Sequence, residues 1–196
     1  GFGIGGTQEE VLFGSFIELC PAMIFFAEAM KDQESIIVRN VIKYAHYDGY
    51  GFDLKFRKNF TDSFKFKSYN VIAIDALDFS ADYSNALSHQ LKPSNLEREL
   101  RKLISGFSSF QNEVIDSGHW GCGAFGGNKC LKVLLQMIAC SVTRSKLSFC
   151  CFNDEPFYRS FKSFLEASTY SAAEIWTLLL KIDPNVKELS FDHILM

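Results

Sequence analysis

Apolar and polar positions alternate along the chain with two different periods, and the switches between them predict the elements. Val11 to Leu19 is apolar with helical spacing, interrupted at Gly14, and Pro21 opens a second helical run over Ala22 to Met30, where a proline suits the first turn. Glu34 to Asn40 contains Ile36-Ile37-Val38, a β-branched run that predicts a buried strand. Val41 to Phe56 is aromatic-rich around Asp48-Gly49 and reads as strands flanking a turn. Arg57 to Ser68 has no firm period and reads as a loop or an edge strand.

The second half has stronger patterns. Asn70 to Leu77 is the best strand, with the continuous apolar character of a sheet covered on both faces. Asp78 to Ser94 reads as connecting structure. Asn95 to Phe107 predicts a helix with Leu96, Leu100, Leu103 and Ile104 on one face and charges opposite. A strand within Phe110 to Ser117, a helix over Asn128 to Val142 and a strand over Leu147 to Phe152 follow. Helices over Pro156 to Ala167 and Ser171 to Lys181 complete the pattern. Strands alternating with helices imply a layered α/β domain with a central sheet, residues 1–196 forming a single domain without repeats or linkers.

Composition narrows the chemistry. With 47% hydrophobic content over 196 residues, the chain has enough apolar material for a substantial core. A net charge of -3 argues against a nonspecific nucleic-acid surface, so backbone N–H groups and helix ends must do much of the work on any polyanionic ligand. The six cysteines form no C-x-x-C pair and the four histidines no H-E-x-x-H, which leaves a metal centre unsupported and a reducing compartment the simplest setting. No apolar run approaches the length that spans a bilayer, so no membrane partner is expected.

Two glycine-rich stretches carry the candidate chemistry. The first, Gly1-Phe2-Gly3-Ile4-Gly5-Gly6-Thr7, runs directly into Gln8-Glu9-Glu10 and an apolar segment. Glycines let backbone N–H groups approach phosphate oxygens where a helix presents its positive end, and the two carboxylates follow at once. Adjacent glutamates diverge and cannot flank one bond from opposite sides, as a glycosidase acid and nucleophile do, so the pair reads as one acid/base and one positioner. Thr7-x-x-Glu10 also fits a capping box, a purely structural role for Glu10. The second stretch is Gly118-His119-Trp120-Gly121-Cys122-Gly123-Ala124-Phe125-Gly126-Gly127, which reads either as a diphosphate cradle or as tight turns. Both stretches satisfy G-x-G-x-x-G, but a dinucleotide fingerprint wants an acid about 20 positions on. Asp154 lies 28 residues beyond Gly126, and the strand ending near Asn40 offers none, so a dehydrogenase fits poorly.

Taken together, the glycine loop with Gln8-Glu9-Glu10 and the run from Trp120 to Gly127 resemble the two signatures of the poly(ADP-ribose) glycohydrolase family. The resemblance implies a three-layer α/β/α macrodomain with a mixed central sheet, the N-terminal part of which, with a helical accessory region, lies upstream of Gly1. It implies hydrolysis of ribose–ribose bonds in poly(ADP-ribose), with ADP-ribosylated proteins as partners, no cofactor, and a nuclear or cytoplasmic setting. On that resemblance Glu10 is the acid/base, Glu9 holds ribose hydroxyls, and Gln8 braces the loop that begins at Gly1. Gly121, Cys122, Gly123, Ala124, Phe125 and Gly126 wrap the diphosphate, with Phe125 pressing on the adjoining ribose. Tyr44-Ala45-His46-Tyr47-Asp48-Gly49-Tyr50 resembles the family's tyrosine-rich turn and points to Tyr50, with Tyr47 behind it. Phe152 resembles the aromatic that stacks on adenine, although by composition alone it reads as core. His119 stands where the family commonly has asparagine, and a module that binds ADP-ribose without cleaving it is the second reading.

Overall fold

The computed structural model describes residues 8–25, 30–49, 53, 55–59, 67–82 and 84–195, the side chains of residues 8–10, 22, 23 and 59 excepted. The chain divides into two compact units, one formed by residues 1–29 and 36–73, the other by residues 30–35 and 74–196.

In the first unit, helix α1 (Gln8–Ser15) is followed by a 3-10 turn (Ile17–Leu19) and a short helix α2 (Ala22–Phe25). Strand β1 (Ile36–Ile42) pairs antiparallel with β4 (Ser68–Ala73), and β2 (Ala45–Asp48) pairs antiparallel with β3 (Lys55–Asn59). The core here is small. Phe16, Leu19 and Val41 are buried, with Leu12, Phe13, Val38, Tyr69 and Val71 packed around them. The Phe16 and Tyr69 rings meet edge to face at 5.3 Å. Glu18 ties the turn to the strands: its carboxylate accepts the Ile42 N–H at 2.6 Å and the Tyr44 hydroxyl at 2.8 Å. That hydrogen bond raises the pKa of the Tyr44 phenol.

The second unit is larger and better packed. Helices α3 (Ala86–Gln90) and α4 (Pro93–Phe107) precede a β-α-β segment of β5 (Val114–Ser117), α5 (Lys129–Thr143) and β6 (Lys146–Phe149), whose two strands are parallel. Helices α6 (Glu155–Ala167), α7 (Ala172–Leu179) and α8 (Asp192–Leu195) follow. Leu96, Leu103 and Phe107 of α4 and Leu131, Leu134, Leu135 and Ile138 of α5 are buried. Three of the helix starts have a side-chain cap. Asn128 caps α5 by accepting the Leu131 N–H, Asp154 caps α6 through the Phe157 N–H, and Ser171 with Glu174 forms a capping box on α7. Helix α5 ends on Arg144 at φ 56°, a left-handed stop without glycine.

Several elements differ from the sequence expectation. Gly14 does not break α1, which runs to Ser15, because one glycine costs only about 1 kcal/mol in a helix. Ile36 to Val38 are half-buried rather than buried, and β4 stops at Ala73 with alternating exposure. The apolar run beyond it, Ile74 to Leu77, is partly buried but belongs to no strand. Strand β6 ends at Phe149, three residues short of Phe152. Short helix α3 occupies part of what reads as a connection. The largest difference lies in α4, where Glu99 and Lys102 are buried although the pattern places charges on the open face.

Candidate functional site

Within the second unit, the loop from Gly118 to Gly127 joins β5 to α5 and is fixed by polar side chains from its neighbours. At its start, Gln136 donates to the Gly118 carbonyl at 3.1 Å and accepts the Ser117 hydroxyl at 2.6 Å. At its end, Gln90 donates to the Gly126 carbonyl at 3.2 Å and accepts the Asn128 N–H at 2.7 Å. Both glutamines are buried, so these bonds are made away from water, where a lost partner is costly. Between the ends, the Trp120 indole N–H donates to the Ile74 carbonyl at 3.2 Å and the Phe79 N–H to the Phe125 carbonyl at 2.9 Å. The non-strand segment after β4 is thus a strap for the loop.

Within the loop, the N–H groups of Trp120, Cys122, Gly126 and Gly127 bond to the carbonyls of Gly118, His119, Gly123 and Gly121. Those of Gly121, Gly123 and Phe125 make no hydrogen bond among the described residues. Three donors without a partner among the described residues, within five positions, are what a backbone site for an anion requires. Gly121 lies at φ 71°, and a Cβ there would meet the Ala76 side chain at 2.6 Å, so this position requires glycine twice over.

Charged groups pack against the same loop. Lys132 of α5 is buried, lies 4.2 Å from the centre of the Trp120 ring and pairs with the buried Glu99 of α4. Glu99 also accepts the Leu77 N–H at 2.8 Å and an Arg98 N–H at 3.0 Å. Arg98 bonds in turn to Asp75, which Lys102 reaches at 2.7 Å. Burial would raise the Asp75 pKa, but its hydrogen bonds to Lys102 and Arg98 and their charges outweigh that and hold it low. Burial, and then the Arg98 charge, push Lys132 down to about 7, while the Glu99 carboxylate it touches favours the charged form.

Of the residues singled out from the sequence, the structure brings Gly121, Cys122, Gly123, Ala124, Phe125 and Gly126 together on this loop. Their roles divide. Cys122 is no candidate nucleophile, because burial pushes its thiol up to about 12. Phe125 is 38% exposed, as a ring that contacts a ligand has to be. Phe152 is 56% exposed, which sets aside the core reading for it. Both Phe152 and Asn153 have positive φ, 50° and 62°, an unusual conformation for an aromatic residue. The Phe152 ring edge sits where a Gly118 side chain would be, 2.5 Å from its Cβ position.

His119 lies in an aromatic nest, 4.9 Å from the Phe157 ring, 5.4 Å from Phe149 and 5.9 Å from Phe152. Burial and, second, the Lys129 charge lower its pKa, against the Cys151 backbone and the Asp154 charge. Asp154 pairs with Lys129 at 2.5 Å as well as capping α6, so both of its oxygens have structural uses and none is left for a ribose.

In the first unit, Tyr47 on β2 packs edge to face on Phe56 of β3 at 6.0 Å. Gln8, Glu9 and Glu10 form the first turn of α1, so the Gln-Glu-Glu run does open a helix. Their side chains, Gly1, Tyr50 and the Thr7 end of the capping box lie outside the described residues. What the sequence reading missed is the set Gln90, Glu99, Lys132 and Gln136. Glu99 and Gln136 stand three or four residues from an apolar neighbour on both sides of their helices, which is a legible signal; Gln90 and Lys132 carry none.

Comparison with known proteins bears on the loop and on the helix-opening glutamates alike. Residues 1–159 match the family described as Poly (ADP-ribose) glycohydrolase (PARG), Macro domain fold. The chain belongs to the poly(ADP-ribose) glycohydrolase family. Poly(ADP-ribose) glycohydrolase 1 of Caenorhabditis elegans is 35% identical over 180 residues, covering 83% of this chain and 22% of the relative. Poly(ADP-ribose) glycohydrolase 2 of the same organism is 36% identical over 168 residues, covering 76% and 34%. A probable poly(ADP-ribose) glycohydrolase 2 of Arabidopsis thaliana is 29% identical, covering 68% and 33%. The chain therefore spans about a fifth to a third of the length of these relatives. The family carries the macrodomain fold, in keeping with the α/β class expected from the strand and helix pattern.

Proposed function

We propose that this chain supplies the catalytic part of a protein that hydrolyses the ribose–ribose O-glycosidic bonds of poly(ADP-ribose) and releases ADP-ribose. The observation that carries the reading is the loop from Gly118 to Gly127, with three unpaired N–H groups and an exposed aromatic ring in a member of this family. Such a loop suits a diphosphate, which a chain of net charge -3 has to bind by local rather than global charge.

In this reading Glu10 protonates the departing ribose oxygen as the glycosidic C–O bond breaks through an oxocarbenium-like transition state. Its carboxylate then takes a proton from the water that adds to the anomeric carbon. Glu9 holds ribose hydroxyls and Gln8 braces the opening loop. Phe152, exposed and set against Gly118, stacks on adenine, and Tyr50, with Tyr47 behind it, belongs to the adenine side of the site. ADP-ribosylated proteins are the partners, and the six free thiols agree with a reducing compartment, nucleus or cytoplasm.

Glu10→Gln in the full-length protein lowers polymer hydrolysis by about 10²- to 10⁴-fold, the usual contribution of a general acid–base group, with ADP-ribose affinity little changed. Release of ADP-ribose from polymer and calorimetric titration with ADP-ribose measure the two separately. Undiminished hydrolysis by the variant removes Glu10 from the role. The second reading, a module that binds ADP-ribose without cleaving it, is favoured by His119, whose aromatic nest departs from the family's asparagine. It predicts binding without release by the unaltered protein.

A further inference from the structure

Three charged side chains, Glu99, Lys102 and Lys132, are almost wholly removed from solvent in the second unit. Lys102 has a structural explanation: its ammonium donates to the carbonyls of Lys31 at 2.5 Å and Glu34 at 2.7 Å and pairs with Asp75, closing a turn. Glu99 and Lys132 do something else. Each comes from a different helix, α4 and α5, and they meet against the glycine loop.

The position of Lys132 is set by the loop and sets it in return. A Cβ on Gly121 would lie 3.2 Å from the Lys132 ammonium nitrogen, and one on Gly127 would lie 3.0 Å from its Cε. The ammonium also sits 4.2 Å from the centre of the Trp120 ring, a cation–π contact strengthened by burial. One side chain thus lies against both ends of the turn, at Trp120 and Gly121 and again at Gly127, and between those ends the Gly121, Gly123 and Phe125 N–H groups have no partner among the described residues. Glu99 fixes the lysine and binds the Leu77 N–H on the strap that receives the Trp120 indole. Buried ion pairs of this kind are poor contributors to stability compared with apolar residues of the same volume, so their presence asks for a use beyond stability.

We propose that the Glu99–Lys132 pair is a positioning device for the anion loop: it imposes the shape in which the three N–H groups are left for a diphosphate, and it places a desolvated positive charge against them. This rests on the reading of the loop given above. Neither residue touches the reacting atoms, and both act through Trp120 and the glycine backbone. The recognition they support belongs to the diphosphate and not to the base.

The test is the paired substitution E99Q/K132M in the full-length protein, which removes both charges and retains most of the volume. Where that variant does not fold, E99Q/K132Q, which keeps a hydrogen bond between the two side chains, gives the same readings. Calorimetric titrations with ADP-ribose, inorganic pyrophosphate and adenosine are compared with those of the unaltered protein. The expected result is a ten-fold or greater loss for ADP-ribose and pyrophosphate, with adenosine within two-fold. Unchanged affinity for all three, or an equal loss for all three, overturns the proposal. If the unaltered protein binds pyrophosphate but not ADP-ribose, the ADP-ribose reading falls and the pair is judged on pyrophosphate alone. Binding of neither by the unaltered protein defeats both.

Discussion

The glycine loop of the second unit and the β2–β3 hairpin of the first carry ligand-facing residues in the same reading, yet they are built in opposite ways. The loop is irregular backbone clamped by buried side chains: Gln90 of α3 and Gln136 and Lys132 of α5 reach it from outside, and its own Trp120 reaches out to the Ile74 carbonyl. The hairpin is antiparallel pairing with one irregularity, between His46 and Tyr47. Its described side chains are half-buried or exposed apart from Ala45, and the ion pair from Arg57 to Asp48 at 3.5 Å has both side chains more than 60% exposed. The difference teaches where rigidity comes from. A turn that leaves its N–H groups open cannot be stabilised by its own hydrogen bonds, so the surroundings have to supply the constraint.

Substitutions can break that contrast, and the largest effect is expected at Gly121. Alanine there combines a positive φ with a 2.6 Å contact to Ala76, so Gly121→Ala should cost about 3 kcal/mol or more in denaturant unfolding. Gly123 has nothing within 4 Å of its Cβ position, and Gly123→Ala should leave stability within about 0.5 kcal/mol. Equal behaviour of the two would mean that the loop is not clamped from inside.

A smaller effect follows from the His119 nest. Because its folded-state pKa lies below the ordinary value of 6.5, the neutral ring is favoured in the fold. The associated stability is complete above pH 6.5 and is lost as pH falls through that value towards the lower folded-state pKa. Lys129, Asp154 and the Cys151 backbone are the polar groups acting on it. Melting temperature should fall between pH 7 and pH 5 more steeply in the natural protein than in His119→Asn. Parallel curves would show that the imidazole is not what titrates.

The smallest effect belongs to the hairpin. Arg57→Ala removes an exposed ion pair and should change stability by less than about 1 kcal/mol, its contribution fading further with added salt. A loss as large as that of Gly121→Ala would show that the hairpin, too, has a hidden clamp.

How much of this was legible in the sequence depends on the kind of interaction involved. The long helices were readable because Leu96, Leu103, Leu131, Leu134 and Ile138 repeat with the helical period and are buried as that period implies. The loop itself was readable because its glycines and Trp120 form a dense motif. The clamp was not. Glu99 reads as a solvent-facing charge and nothing in the pattern singles out Lys132, because the burial of each depends on a partner 33 positions away, which no local period reveals. Ile74 to Leu77 read as strand because apolar runs are alike in strand and strap. The difference lies in the Trp120 N–H, the Glu99 carboxylate and the Arg98 guanidinium, which take up that backbone from the side.

The phenylalanines of α6 bear on where a working fragment can be cut. Phe161 and Phe164 stack on Phe191 and Phe157 meets it at a tilt, and Leu189, Phe191 and Ile194 are nearly inaccessible. The family match stops at residue 159, inside this aromatic column. A boundary drawn where the family match ends would remove Phe161, Phe164 and Phe191 and leave Phe157 without them, whereas one drawn by packing runs on through Leu195. The packed unit is longer than the stretch the family model matches.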